Sequence, residues 1–115
     1  MNIKTENIDQ ISIVSVEGKM AAESLIELRN CLLENIEDET LKGMVLDLEG
    51  VDVIDSSGIG LIVSIFKSLK SQEKGFCLTS LSPKNRELFA LTKLDQVLTI
   101  VDDNDEGLRC LQIKQ

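Results

Sequence analysis

Hydrophobic positions along this chain switch between two periods. Runs rich in β-branched and apolar residues favour strands over residues 3–8 (the weakest run), 10–17, 44–49 with a continuation over 51–54, 76–81 and 96–101. Apolar residues at helical spacing or helix-start signals favour helices over residues 24–36, about 61–72, 83–91 and about 102–111. This alternation predicts an α/β fold whose mixed, mostly parallel sheet has about four to five strands and packs with four helices.

Local signals predict where three of these helices begin. Ser24, followed three residues later by Glu27, matches a capping box, in which each residue satisfies a backbone N–H of the other. Ser82 before Pro83 is an N-cap followed by proline at the first helical position. The acidic run 102–105 supplies a cap and first-turn acids for the last helix. The first helix should bury an apolar stripe made of Leu25, Leu28, Leu32, Leu33 and Ile36.

The strand order also predicts where a functional surface should lie. In open, mostly parallel sheets, binding sites form beyond the carboxyl ends of the strands. The segments that follow three strands, residues 19–23, 55–58 and 80–83, should therefore meet at one edge of the sheet.

Composition excludes several classes of function. Twenty acidic and twelve basic residues give a net charge of −8, which disfavours direct nucleic-acid binding and attachment to an anionic membrane. The chain has no histidine, so neither a Ser-His nucleophile pair nor a histidine-ligated metal site can form. No apolar run is long enough to span a bilayer and the N-terminus lacks a signal-peptide pattern, so we expect one cytoplasmic domain over residues 1–115. The three dispersed cysteines, Cys31, Cys77 and Cys110, are expected to be reduced, buried and structural.

The string Asp55-Ser56-Ser57-Gly58 is the strongest candidate site. One interpretation is a helix N-cap, in which an Asp or Ser oxygen accepts a hydrogen bond from a backbone N–H. The other is a phosphorylatable serine at a helix N-terminus, where the helix dipole tolerates an added anion. A metal site built from Asp47, Glu49, Asp52 and Asp55 is less favoured than a solvated strand end.

These residues also carry a resemblance. The strand 45–49 leading into Ile54-Asp55-Ser56-Ser57-Gly58-Ile59-Gly60, followed later by Leu81-Ser82-Pro83, resembles the STAS-domain family, in particular the small bacterial anti-sigma factor antagonists. The resemblance covers almost the whole chain in length and element order. It implies a partner switch in which the unmodified protein binds an anti-sigma factor that is also an ATP-binding serine kinase. Phosphorylation of Ser56 then releases the complex, and a serine phosphatase resets it.

The resemblance implies a set of site residues and no cofactor or metal. Ser56 is the expected phosphorylation site, with Ser57 as the second choice. The partner surface is expected to include Lys19, Met20, Ala21, Asp55, Ser56, Ser57, Gly58 and Ser82.

Two other functions are compatible with the residues. Ala21 stands where the family often has an aspartate, which allows an unphosphorylated STAS scaffold or an accessory subunit of a transporter or signalling complex. An enzyme using Ser56 as nucleophile would need Lys67 or Lys70 as its base, because no histidine exists. We therefore expect a binding protein rather than an enzyme.

Overall fold

A computed structural model describes residues 1–113 as one sheet packed with helices. The strands are β1 (Asn2–Ile8), β2 (Ile11–Met20), β3 (Gly43–Ile54), β4 (Gly75–Thr79) and β5 (Thr99–Val101). The helices are α1 (Leu25–Ile36), α2 (Ser56–Ser71), α3 (Pro83–Leu91) and α4 (Asn104–Ile113). Short 3-10 turns cover Ala22–Ser24 and Leu94–Gln96.

The sheet follows chain order, β1-β2-β3-β4-β5. β1 pairs with β2 antiparallel, and every later pair is parallel. Asp9 and Gln10 connect β1 to β2, and both have positive φ, 51° and 69°. That pair of φ angles is typical of the type I′ turn, whose twist suits a two-residue hairpin loop. The predicted fold class, a mixed and mostly parallel sheet with four helices, is confirmed for the described residues.

Helices cover the two faces of the sheet unequally. Side chains that alternate along the strands, such as Val14, Leu46 and Leu78, join one large core with the buried faces of α1, α2 and α3. Their neighbours Ile13, Val45 and Cys77 belong to a smaller cluster that includes Leu111 of α4. The larger core fixes α2 against β3, and β3 is the strand that ends at the Asp55 motif.

Several element boundaries differ from the sequence expectation. α2 begins at Ser56 rather than near Leu61, because Asp55 caps it and the glycines fit inside the helix. Ser24 makes no capping hydrogen bond, since its backbone is already helical as part of a 3-10 turn, so the predicted capping box is wrong. Half of the strand predicted over 96–101 is absent: residues 94–96 form a 3-10 turn and only Thr99–Val101 pair with β4.

Burial also corrects two expectations. Leu33, expected on the apolar stripe of α1, is 39% exposed because it lies beside that stripe on the helix surface. Cys77 is buried as expected, whereas Cys31 and Cys110 are only half-buried.

Candidate functional site

Asp55 joins the end of β2 to the start of α2. Its Oδ1 accepts a hydrogen bond from Gly58 N at 2.9 Å, which caps α2. Its Oδ2 accepts a bond from Ala22 N at 3.3 Å, and its own N–H donates to Met20 O at 3.0 Å. The end of β2, the turn after it and the start of α2 are therefore held together through one side chain and its backbone.

Gly58 lets the β2 end approach α2 closely. A Cβ at this position would lie 2.6 Å from Met20 O and 2.9 Å from Ile54 Cγ2, closer than such atoms can pack. Gly60, one half-turn later, would meet nothing within 4 Å and faces open space. Of these two glycines, only Gly58 is closely approached, and the neighbour is a segment of the same chain.

Ser56 and Ser57 are both exposed in the first turn of α2. Asp55 already occupies the capping position on Gly58 N, so neither serine is needed as the N-cap. Their hydroxyls are accessible at the end of the helix where the dipole is positive. Both the capping and the modification interpretations of the string are compatible with this arrangement, with Asp55 as the cap and the serines as the accessible groups.

The other expected site residues divide into exposed and buried ones. Lys19 is exposed and Ala21 is half-buried on the segment that leads to Asp55. Met20 has no exposed surface and Gly58 is buried, which corrects their assignment as contact residues: their side-chain positions face the core, so they position the loop. Ser82 is half-buried and caps α3, accepting from Asn85 N at 3.1 Å.

Asn85 links the start of α3 to β3. It is buried, and its Nδ2 donates to Val51 O at 3.0 Å, three residues before the end of β3. Ser82 is therefore joined to β3 through Asn85, whereas the contacts of Asp55 run to the β2 side.

Two shallow apolar grooves flank the motif, and the sequence pattern did not identify them. The first, about 330 Å³, lies between α1 and α2 and is lined by Ala22, Leu25, Ile26, Arg29, Ser57, Leu61 and Ser64. The second, about 310 Å³, lies between β3 and α3 and includes Val53, Ile54, Leu88 and Leu91. Ile26 and Leu91 are 70% and 75% exposed. Large apolar side chains at helix positions where polar residues are expected were the signal in the sequence that could have indicated these grooves.

Asp47 and Asp55, two of the four acidic residues considered for a metal site, have structural partners. Asp47 is buried; it accepts from Ser15 Oγ at 3.2 Å, from Asn104 Nδ2 at 2.9 Å and from Glu49 N at 3.0 Å. Within residues 1–113 no group of three or more acidic or cysteine side chains could hold a metal ion. Lys67 and Lys70 lie eleven and fourteen residues beyond Ser56 on the same helix, which separates them from it by about 16 Å or more along the axis. Neither lysine can act as a base for a Ser56 nucleophile in this arrangement.

Comparison with known proteins matches residues 2–107 to the STAS-domain model. The chain belongs to the STAS-domain family. This STAS domain is 29% identical over 100 residues to a Staphylococcus aureus protein named anti-sigma-B factor antagonist, covering 87% of this chain and 92% of the relative.

Solved structures share the same fold. An anti-sigma factor antagonist from Mycobacterium paratuberculosis superposes with a TM-score of 0.89 at 24% identity, over 96% of this STAS domain and 93% of that chain. The Bacillus cell fate determinant SpoIIAA in its phosphorylated form gives 0.74 at 17% identity, over 95% and 99% of the two chains. Across the described residues of this STAS domain, none of the helices has the length and apolar character needed to cross a membrane.

Proposed function

We propose that this STAS domain is an anti-sigma factor antagonist controlled by phosphorylation of Ser56. In its unmodified form it binds an anti-sigma factor that is also an ATP-dependent serine kinase. Transfer of a phosphoryl group to Ser56 releases that partner, and a serine phosphatase restores the binding form. The observation that carries the proposal is the exposed Ser56 hydroxyl at the start of a helix that Asp55 already caps.

The geometry supports a switch that leaves the fold intact. The contacts that hold the motif use Asp55, Gly58 and the backbone of Met20 and Ala22, and none of them uses the Ser56 hydroxyl. A phosphate on Ser56 can therefore point outward while the loop keeps its shape. The positive end of α2 also lowers the cost of the added charge.

The added charge is large enough to control binding. A phosphoserine carries about −1.5 to −2 charges at pH 7. If the partner buries Ser56, an uncompensated charge there costs roughly 3–5 kcal/mol, which corresponds to at least about a hundredfold loss of affinity. The neighbouring Asp55 carboxylate adds a like charge beside the phosphate.

The proposed contact surface comprises the expected residues that are exposed or half-buried. Lys19, Ala21, Asp55, Ser56 and Ser57 lie along the joined β2 and α2 ends, and Ser82 lies at the start of α3. Ala21 does not disturb this surface, because Ala22 N and Met20 O bind Asp55 through the backbone. The absence of a carboxylate at position 21 therefore leaves the loop ordered.

The test is a pull-down from the cytoplasm of the source cell with three baits, the wild type, Ser56→Ala and Ser56→Asp. We expect an ATP-binding serine kinase on the first two baits and its loss from the third, with phosphate mapped to Ser56 by peptide mass spectrometry. Ser71→Asp is the charge control, because it adds the same charge at the far end of α2, about 22 Å away.

Two outcomes would contradict the proposal. A partner retained by all three baits, with no phosphate on the wild type, indicates the unphosphorylated scaffold or accessory subunit. Phosphate on Ser57, with binding lost in Ser57→Asp and kept in Ser56→Asp, would move the switch by one residue.

A further inference from the structure

The free edge of β1 is complementary to the same edge of a second copy of the chain. β1 is an outer strand of the sheet, hydrogen-bonded on one side only, to β2. Its seven residues, Asn2–Ile8, are mostly exposed and contain no proline. Natural edge strands are usually protected by proline, bulges or isolated charges, because a free row of N–H and C=O groups invites another strand.

The hairpin turn determines which backbone groups face that edge. Ile8 and Ile11 flank the two-residue type I′ loop and therefore form a hydrogen-bonded pair. Because such pairs alternate along an antiparallel ladder, Ile8, Glu6, Lys4 and Asn2 direct their backbone groups to β2. Ile3, Thr5 and Asn7 then direct theirs outward, to the free edge.

A second copy of β1 fits this edge in one register. In an antiparallel pair centred on Thr5, Ile3 faces the second copy's Asn7 and Thr5 faces Thr5. All of these residues present outward N–H and C=O groups, so the hydrogen bonds of the pair can form without changing β1. The register also places Lys4 opposite Glu6 of the second copy, and Glu6 opposite its Lys4.

The charges are complementary where the side chains come closest. Lys4 and Glu6 occupy the pairs that lack mutual hydrogen bonds, where the opposed Cα atoms are only about 4.5 Å apart. Opposite charges at directly facing positions stabilise strand pairing, and like charges oppose it. The same register thus satisfies the backbone and forms two Lys–Glu pairs related by a twofold axis.

From this pattern we propose that the protein forms a symmetric dimer through β1, which joins two sheets into one continuous ten-stranded sheet. A seven-residue strand pair is small compared with a standard protein interface, so the dimer is weak and depends on concentration. β2 separates β1 from β3, so the Asp55 motif remains available to another partner. The dimer does not depend on the proposed function.

The test measures association by sedimentation equilibrium, from micromolar to millimolar protein, in about 0.15 M salt to screen the repulsion between two chains of charge −8. Lys4→Glu and Glu6→Lys should each weaken dimerisation by about tenfold, because each replaces both ion pairs with like-charge pairs. An equimolar mixture of the two variants should recover a dimer, since every facing pair is then opposite in sign. Native mass spectrometry identifies that species as the heterodimer.

A backbone variant tests the hydrogen bonds separately. Thr5→Pro removes an N–H that faces the free edge and leaves the β1–β2 bonds intact, whereas Thr5→Val keeps the N–H. We expect the valine variant to dimerise like the wild type and the proline variant to be monomeric. A wild type that is monomeric at every concentration overturns the proposal. So does a dimer whose affinity is unchanged in both charge variants, because it must use another surface; this holds even if Thr5→Pro proves unfolded by circular dichroism.

Discussion

At the scale of single residues, Gly58 and Gly60 show how position alone gives one residue type opposite roles. Both lie in the first turns of α2, where glycine is about 1 kcal/mol less favourable than alanine. Gly58 faces Met20 O and Ile54, so its missing side chain permits the contact between the β2 end and α2. Gly60 faces open space, so the fold gains nothing from it.

The two glycines therefore make a matched pair of substitutions. Gly58→Ala should lower the free energy of unfolding by roughly 1–3 kcal/mol, because the new Cβ forces the β2 end away from the helix. Gly60→Ala should raise it by up to about 1 kcal/mol through helix propensity. Urea unfolding of both variants gives the two values. Equal effects of the same sign would show that helix propensity, and not the approach of Met20, decides the energetics here.

Gly60→Ala also separates stability from binding. If Gly60 is kept small for a partner, the variant will be more stable than the wild type but will bind the proposed kinase partner more weakly. Unchanged binding would place Gly60 outside the contact surface.

At the scale of elements, the alternation of strand and helix was predictable and the element ends were less so. Strand periodicity and the Ser82-Pro83 signal indicated β1 to β4 and the start of α3 correctly. The start of α2 was missed by five residues because two glycines suggest a loop, whereas the Asp55 cap and the packing of Gly58 on Met20 stabilise a helix there. Only the contact between Gly58 and Met20 distinguishes a helix start from a loop at this position.

The segments that form the candidate site were predictable from the sequence, but the grooves beside it were not. Of the three segments expected to meet, residues 19–23 and 55–58 are joined through Asp55, whereas Ser82 in the third segment is linked through Asn85 to β3. Burial of Met20 follows from the alternation along β2, because Met20 lies on the same face of the strand as Val14 and Val16 and joins the same core. The grooves beside the motif depend on how α1 and α3 are rotated, and a single sequence does not reveal that.

Two predicted helix caps differ in the structure and provide an element-scale test. Ser82 Oγ accepts from Asn85 N, whereas Ser24 makes no capping bond. Ser82→Ala should therefore cost about 1 kcal/mol of unfolding free energy, and Ser24→Ala only a few tenths. Thermal and urea unfolding of both variants measure the difference, and equal costs would contradict the assignment of the caps. A loss of binding to the proposed kinase partner in Ser82→Ala, far beyond the stability loss, would place Ser82 in the interface.

At the scale of the whole molecule, the thin α4 side of the sheet contains the one strongly perturbed thiol identified among residues 1–113. Cys77 is buried under α4, and a Cβ on Gly107 would lie 3.0 Å from its Sγ, so the helix seals the sulfur from water. Burial, with a smaller contribution from Cys110, raises the pKa of Cys77 from 9.0 to about 12. The free energy of unfolding therefore depends on pH through the Cys77 thiol.

That coupling predicts how stability changes in alkaline solution. The unfolded chain releases the Cys77 proton near pH 9 and the folded chain near pH 12, so between these values the unfolded state binds fewer protons and stability falls as pH rises. From pH 8 to pH 10 this thiol should remove about 1.4 kcal/mol from the free energy of unfolding. Urea unfolding of the wild type and Cys77→Ala at both pH values isolates this contribution, because other groups titrate in both proteins. Cys31→Ala, which removes a half-buried thiol, is the control. Its free energy of unfolding should fall between pH 8 and pH 10 by as much as that of the wild type. If Cys77→Ala loses as much stability between pH 8 and pH 10 as the wild type does, then Cys77 does not couple the fold to pH.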